Sequence, residues 1–242
     1  MITWDALGER QYEIGVDRGV FYSLDAGAFT NGIAWNGLTG VDSENGGREG
    51  AALYSGGYKV GTEYSSEEYS GKIKCYLYPD EFEVYLGEKE VGPGVYFRQQ
   101  DRDLFGFCYR SLVGNDTEGN DHGYKIHLIY NCLVTDLSCT RASISDNLDV
   151  PQVEISFETF PVEVSDDTIR PVSEIILDSR SIGKNALKNL EYILYGHDDT
   201  PRLPYPDEII DVLTIPEPMP EEWYKYPNTL LYPAETLYPQ EA

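Results

Sequence analysis

Positive charge is scarce in this chain. Of its 242 residues, 18 are Lys or Arg and 42 are Asp or Glu, so the net charge is 18 − 42 = −24. Binding nucleic acid through its phosphates needs clustered Lys and Arg, and docking on an anionic membrane needs them too. The deficit argues against both. It leaves three readings of the acidity: solubility, mimicry of DNA, or a surface past which DNA slides without sticking. Cysteine is also sparse. Cys75, Cys108, Cys132 and Cys139 include no Cys-x-x-Cys pair of a zinc or dithiol site. The first three lie in strand-like runs, so they read as reduced core residues of a cytosolically made protein. No window approaches the ~18 consecutive apolar residues of a membrane span, so no membrane insertion is expected. Met1-Ile2-Thr3-Trp4-Asp5 lacks the basic start and apolar run of a secretory signal.

Catalytic fingerprints are missing as well. Gly-x-Ser-x-Gly, Ser-x-x-Lys, phosphate-loop and dinucleotide patterns are absent, and nothing sets a nucleophile beside a base and an oxyanion donor. The expectation is a non-enzyme without cofactor or metal. Abundant acids always yield neighbouring carboxylates, so a glycosidase pair carries no weight here. The segment Asn115–His122 offers oxygen ligands for calcium, but counting from Asp116 puts Asp121 where an EF-hand loop needs glycine. It reads as a hairpin loop. His122, His127 and Cys132 fit no compact zinc spacing, and His127 reads as a surface or interface residue sharing a strand face with Lys125 and Ile129. Asn115-Asp116-Thr117 is a glycosylation sequon, irrelevant without secretion.

What the chain does have is strand signal. Tyrosine occurs 20 times, against eight Phe and three Trp, and such aromatics favour strands and interfaces. Gly19–Leu24 and Gly32–Leu38 read as short strands. Lys72–Tyr78 is another, ending at Pro79. Glu81, Glu83 and Tyr85 alternate with Phe82, Val84 and Leu86, while Glu154, Ser156 and Glu158 alternate with Val153, Ile155 and Phe157. A period of two puts the acids on one face of a half-buried strand, so Glu81, Glu83, Glu154 and Glu158 are candidates for an acidic functional surface. Residues 41–57 are Gly-rich and polar with one apolar interruption at Ala51–Tyr54. They read as a long loop, a length that is often functional, with Asp42, Glu44, Asn45, Arg48 and Tyr54 as candidate contact residues. Residues 104–134 read as strand, tight polar loop, strand. Glu174–Leu177 is one more strand.

A single helix is expected at about 184–195, from Leu187, Leu190 and Leu194 at helical spacing. Ser181 is its candidate N-cap, and Gly196 its terminator. One helix among perhaps ten strands predicts a mainly β, antiparallel fold of sandwich or barrel type with one flanking α-helix. The chain divides into a β domain over 1–213 and a Pro/Tyr-rich extended tail over 214–242. The tail holds six of the 14 prolines and repeats Tyr-Pro at Tyr226, Tyr232 and Tyr238. Proline at that density prevents regular pairing, and the evenly spaced tyrosines make the tail a candidate docking arm.

Several phrases together resemble the major tail (tail tube) proteins of long-tailed, siphovirus-type bacteriophages. They are Thr3-Trp4-Asp5 with Gly8–Glu13, Gly15–Tyr22, Ala34–Leu38, Tyr76–Phe82, Phe105–Gly119 with Gly123–Tyr130, Leu190–Gly196, Pro201–Pro204 and Pro206–Glu208. The match spans about residues 1–213 and excludes the Tyr-Pro tail. The resemblance implies a structural virion protein of the phage tail. Such proteins form homohexameric rings that stack into a hollow tube around a tape measure protein, bounded by tail-tip and terminator proteins, and DNA is ejected through the tube without specific binding. On this reading Glu154 and Glu158, or Glu81 and Glu83, are candidates to line the lumen, with outward exposure as the alternative, and the 41–57 segment is a candidate to reach a neighbouring subunit or ring. The rival classes are an acidic DNA-mimic inhibitor, a carbohydrate-binding β-sandwich, and another virion protein of the capsid or decoration type.

Overall fold

The computed structural model describes residues 3–47, 50–64, 68–141, 143, 150–166, 168–197 and 199–214. The fold is mainly antiparallel β. Its strands are β1 (Gln11–Asp25), β2 (Ala28–Ala34), β3 (Leu38–Asn45), β4 (Gly50–Ser55), β5 (Tyr58–Tyr64), β6 (Tyr69–Cys75), β7 (Lys89–Gly92), β8 (Val95–Phe97), β9 (Phe105–Asn115), β10 (Gly119–Cys139), β11 (Val153–Thr159) and β12 (Glu174–Asp178). Eight of them form one sheet in the order β2-β1-β9-β10-β11-β6-β3, with β12 also on β10.

Strand β10 decides the architecture. It runs for 21 residues, far beyond the usual strand, and serves two half-sheets. Its first part pairs with β9 and with β12; its last part, Cys132–Cys139, pairs with β11. The switch falls at Asn131, which has φ 47° and sits where the β9 pairing loses register. An extra residue bends a strand and increases its twist. The sheet therefore folds over itself, and β3 comes back against β1, where Trp35 N–H donates to Gly19 O at 2.7 Å.

Two cores result. Between the half-sheets lie Phe21, Ile73, Phe105, Phe107, Ile129, Val134, Ile155 and Phe157, all but inaccessible. On the other face of β1, β9 and β10 a second core takes in Val20, Tyr22, Cys108, Ile126, Leu128 and Tyr130, with two helices packed over it. Both faces of the central strands are covered, which explains why Val20–Tyr22, Phe105–Tyr109 and Ile126–Tyr130 are buried without a break, His127 included. Cys75, Cys108 and Cys132 are buried free thiols.

Helix α1 (Lys184–Tyr195) lies where the leucine spacing placed it and buries Leu187, Leu190 and Leu194. Its N-cap is Gly183, not Ser181. Ser181 belongs to the preceding turn, its N–H bonded to Asp178 O at 3.1 Å. The expectation of a single flanking helix is corrected: α2 (Pro206–Thr214) packs beside α1. Proline at its first position and Asp207 and Glu208 in its first turn are favourable helix-start chemistry.

Two further readings change. Residues Asp80–Leu86 form a 3-10 helix, not a strand. Phe82, Tyr85 and Leu86 turn inward together while Val84 is half exposed. Phe82 packs edge-on against Phe21 at 5.2 Å and Phe105 at 5.0 Å between ring centroids, so the helix plugs the open end of the inter-sheet core. The polar 41–57 segment is not a loop either. Residues 41–45 complete β3, and Gly50–Ser55 is β4, paired with β5 in a hairpin turned by Gly56 and Gly57 at φ 59° and 83°. Both positive φ values suit glycine.

Candidate assembly surfaces

The half-sheet β3-β6-β11-β10 presents its outer face as three rows of side chains. Across the strands the rows read Gly40, Lys74, Glu154, Ser138; then Asp42, Lys72, Ser156, Asp136; then Glu44, Ser70, Glu158, Leu133. The intervening residues, including Ile73, Ile155 and Phe157, enter the core. This alternation is what the sequence around Glu154 and Glu158 predicts. The structure also brings Asp42 and Glu44, read earlier as loop residues, onto the same face as Glu154 and Glu158. Lys72 pairs with Glu154 at 2.7 Å and Lys74 with Asp42 at 2.5 Å. Five carboxylates against two lysines leave this face negative, with Glu44, Asp136 and Glu158 in excess. Next to it opens a cavity of about 600 Å³, whose walls include Glu44, Glu68, Lys72 and Glu158.

Glu81 and Glu83 are elsewhere, on the 3-10 helix. Burial and the nearby carboxylates of Glu88, Asp80 and Glu90 raise the Glu83 carboxyl above its ordinary range. These two acids therefore do not share the outer face of Glu154 and Glu158.

Two hairpins project with apolar side chains in solvent. The β4–β5 hairpin exposes Leu53, Tyr54, Tyr58 and Val60, and β7–β8 exposes Val91, Val95 and Phe97. Asn45 is exposed at the end of β3; Arg48 and the tail tyrosines Tyr226, Tyr232 and Tyr238 lie outside the described residues. Concentrated exposed apolar surface marks an interaction site.

Comparison with known proteins gives a limited likeness. No protein-family model and no curated protein matches the chain. Among solved structures, it is similar to the sheath–tube complex of the PVC extracellular contractile injection system in its extended state. That match has 12% identity, 68% of this chain, 91% of that one and a TM-score of 0.37. It is also similar to the SPP1 tail tube, at 15% identity, 68% and 77% coverage and a TM-score of 0.36. A third is the tube-terminating cap of the anti-feeding prophage, at 10%, 74%, 99% and 0.38. The identities are low and the scores modest, so each is a likeness and no more.

One polar cluster escaped the sequence reading. Ser111 Oγ lies 3.1 Å from His127 Nε2, and His127 Nδ1 lies 2.8 Å from Glu174 Oε1. That is the connectivity of nucleophile, base and orienting acid. Its surroundings do not suit catalysis. The Ser111 hydroxyl donates to Glu13 Oε1 at 2.6 Å, Ser111 and His127 are buried, and the cavities beside the acidic face and beside α2 are lined by other residues. Burial raises the Glu13 carboxyl, but hydrogen bonds from Lys125 and Ser111 outweigh it and hold it below the usual range. The cluster ties β1, β9, β10 and β12 together. His127, expected at a surface or interface, is buried within the chain and stacks flat on Tyr109 at 4.5 Å. At the β9–β10 turn, Asn115 Oδ1 accepts from the Thr117 and Glu118 N–H groups, and His122 Nδ1 meets Glu118 Oε2 at 2.6 Å. Those oxygens and nitrogens build the turn.

Proposed function

We propose that this chain is a structural subunit of a phage tail tube of the siphovirus type. Copies assemble into homohexameric rings, and the rings stack into the hollow conduit through which DNA is ejected. It acts without catalysis and without a cofactor. It is made in the host cytoplasm and resides in the virion tail. Its partners are further copies of itself, the tape measure protein within the tube, and the tail-tip and terminator proteins at the ends.

The observation that carries this reading is the half-sheet β3-β6-β11-β10. One side is sealed by the core, the other is a negative face, and among the described residues β3 has only β6 as a ladder partner. An unpaired edge invites strand pairing with another chain, and ring closure satisfies every such edge. A negative face turned to a lumen repels phosphates and lets DNA pass. The resemblance of residues 1–213 to tail tube proteins points the same way. The β4–β5 hairpin, with Tyr54 at its tip, then reaches a neighbouring subunit or ring.

Negative-stain electron microscopy of the concentrated protein, with a sizing run beside it, tests the proposal. Hollow tubes or rings are expected. A protein that stays a small soluble species even when offered a tail-tip initiator complex is not a tube subunit. A tube map with Glu154 and Glu158 on the outer wall would remove the lumen assignment while leaving the tube.

A further inference from the structure

A groove of about 390 Å³ runs between β12, the side chains of Val164, Ile169 and Val172, and α2. Ile169, Val172, Ile176, Ile182, Ile210 and Leu213 stand on its walls, and Asp178 and Ser181 are the polar residues among those lining it. Asp178 is already engaged by Arg180 through two hydrogen bonds at 2.9 and 2.6 Å. Ile169, Ile176, Ile210 and Leu213 are each 40–51% exposed. In a chain of net charge −24, four exposed aliphatic side chains converging on one groove mark a surface that something covers.

We propose that the occupant is the Leu-Tyr-Pro repeat at residues 226–239 of a second copy of this chain. Helix α2 ends at Thr214, beside the groove-lining Leu213, and the sequence continues to residue 242. Within 226–239 a single residue, Glu235, is charged, whereas a quarter of the whole chain is. That stretch presents Leu231-Tyr232-Pro233 and Leu237-Tyr238-Pro239, an apolar ligand for an apolar groove. Its prolines carry no N–H to desolvate on burial. The occupant comes from another copy because of what lies between. Pro216, Pro218 and Pro220 follow α2 directly, and each fixes φ near −65°. In polyproline geometry the spacer 215–225 spans about 34 Å at ~3.1 Å per residue. Extended in that way, it would carry the repeats away from a groove whose own wall is α2. Exchange of such arms links subunits without enlarging the β domain. The inference shares with the tube reading only the premise that copies of this chain associate.

Full-length protein carrying Ile210→Cys is mixed with full-length protein carrying Tyr232→Cys under mild oxidant. A disulfide-linked dimer of the two is expected. Val95→Cys mixed with Tyr232→Cys should give none, and a sample lacking Ile210→Cys controls for Cys139. Absence of the bridge overturns the proposal. So does a chain carrying both changes that closes only on itself, which would mean docking within one copy. Separately, Ile210→Glu, at a position 40% exposed in the single chain, should weaken self-association about tenfold by setting a charge in an apolar contact, with circular dichroism unchanged. Association equal to wild type also overturns it. Tubes without the bridge remove this inference and keep the tube reading; the bridge without tubes does the reverse.

Discussion

Tyrosine hydroxyls fasten the helical layer to the sheet. Tyr22 Oη donates to Leu194 O at 2.8 Å and Tyr130 Oη to Pro204 O at 2.9 Å, both in the interior. With Gly196 N–H on Tyr192 O and Arg202 N–H on Ile193 O, the Tyr22 bond satisfies a carbonyl that the end of α1 would otherwise bury unpaired. Tyr22→Phe keeps the ring and strands that carbonyl, so a loss of about 1–3 kcal/mol is expected, read as a lower denaturant midpoint with an unchanged slope. Acid stability rests on other side chains. Hydrogen bonds from Arg180 hold Asp178 at about 2, and those from Arg110, at 2.7 and 2.6 Å, keep Asp17 below its usual range. Depressed carboxyl values stabilise the fold above the unfolded value of ~3.9, and that contribution fades as pH falls through the folded value. The thermal midpoint should therefore drop between about pH 4 and 2. Asp178→Asn should flatten that drop, and an unchanged profile would remove Asp178 from the account.

The 3-10 helix 80–86 shows where a period is ambiguous. Over seven residues, Phe82, Val84 and Leu86 alternate as a strand would, yet Phe82, Tyr85 and Leu86 also sit at i, i+3, i+4. Only the flanks discriminate. Pro79 before it and Gly87 after it, at φ 73°, are helix punctuation. Because Phe82 contacts Phe21, Trp35, Tyr85 and Phe105, Phe82→Ala should cost about 3–5 kcal/mol, measured by equilibrium unfolding. A small loss would mean that the plug is dispensable. The β4–β5 hairpin was obscured for a different reason. It has no buried face to impose alternation, although the Gly56-Gly57 turn signal was present in the sequence. By contrast β9, β10, β11, β12 and α1 were legible, because packing forces their apolar spacing. Sequence spacing could not reveal the Glu13–Ser111–His127–Glu174 cluster, whose members come from four strands up to 161 residues apart. Nor could it reveal that Asp42 and Glu44 share a face with Glu154 and Glu158, since that depends on which strands pair.

Strand pairing turns scattered acids into a field. Asp42, Glu44, Asp136, Glu154 and Glu158 come from three strands, and Lys72 and Lys74, from a fourth, offset only part of their charge. If the face lines a lumen, every subunit of a ring adds the same excess at close range. The chain then bears repulsion on assembly in return for a surface that does not hold DNA. Neutralising Glu44 and Glu158 together as Gln should leave the isolated subunit within about 0.5 kcal/mol of wild type, since both side chains lie on the surface. It should favour assembly at low ionic strength, where fields reach tens of ångströms. The advantage should vanish near 1 M salt, where the Debye length is about 3 Å. Sedimentation velocity across a salt series reads both effects. An outward-facing sheet spreads the same charges around a tube's circumference, far enough apart to be screened at ordinary ionic strength. In that case the double variant should assemble with the salt dependence of the wild type.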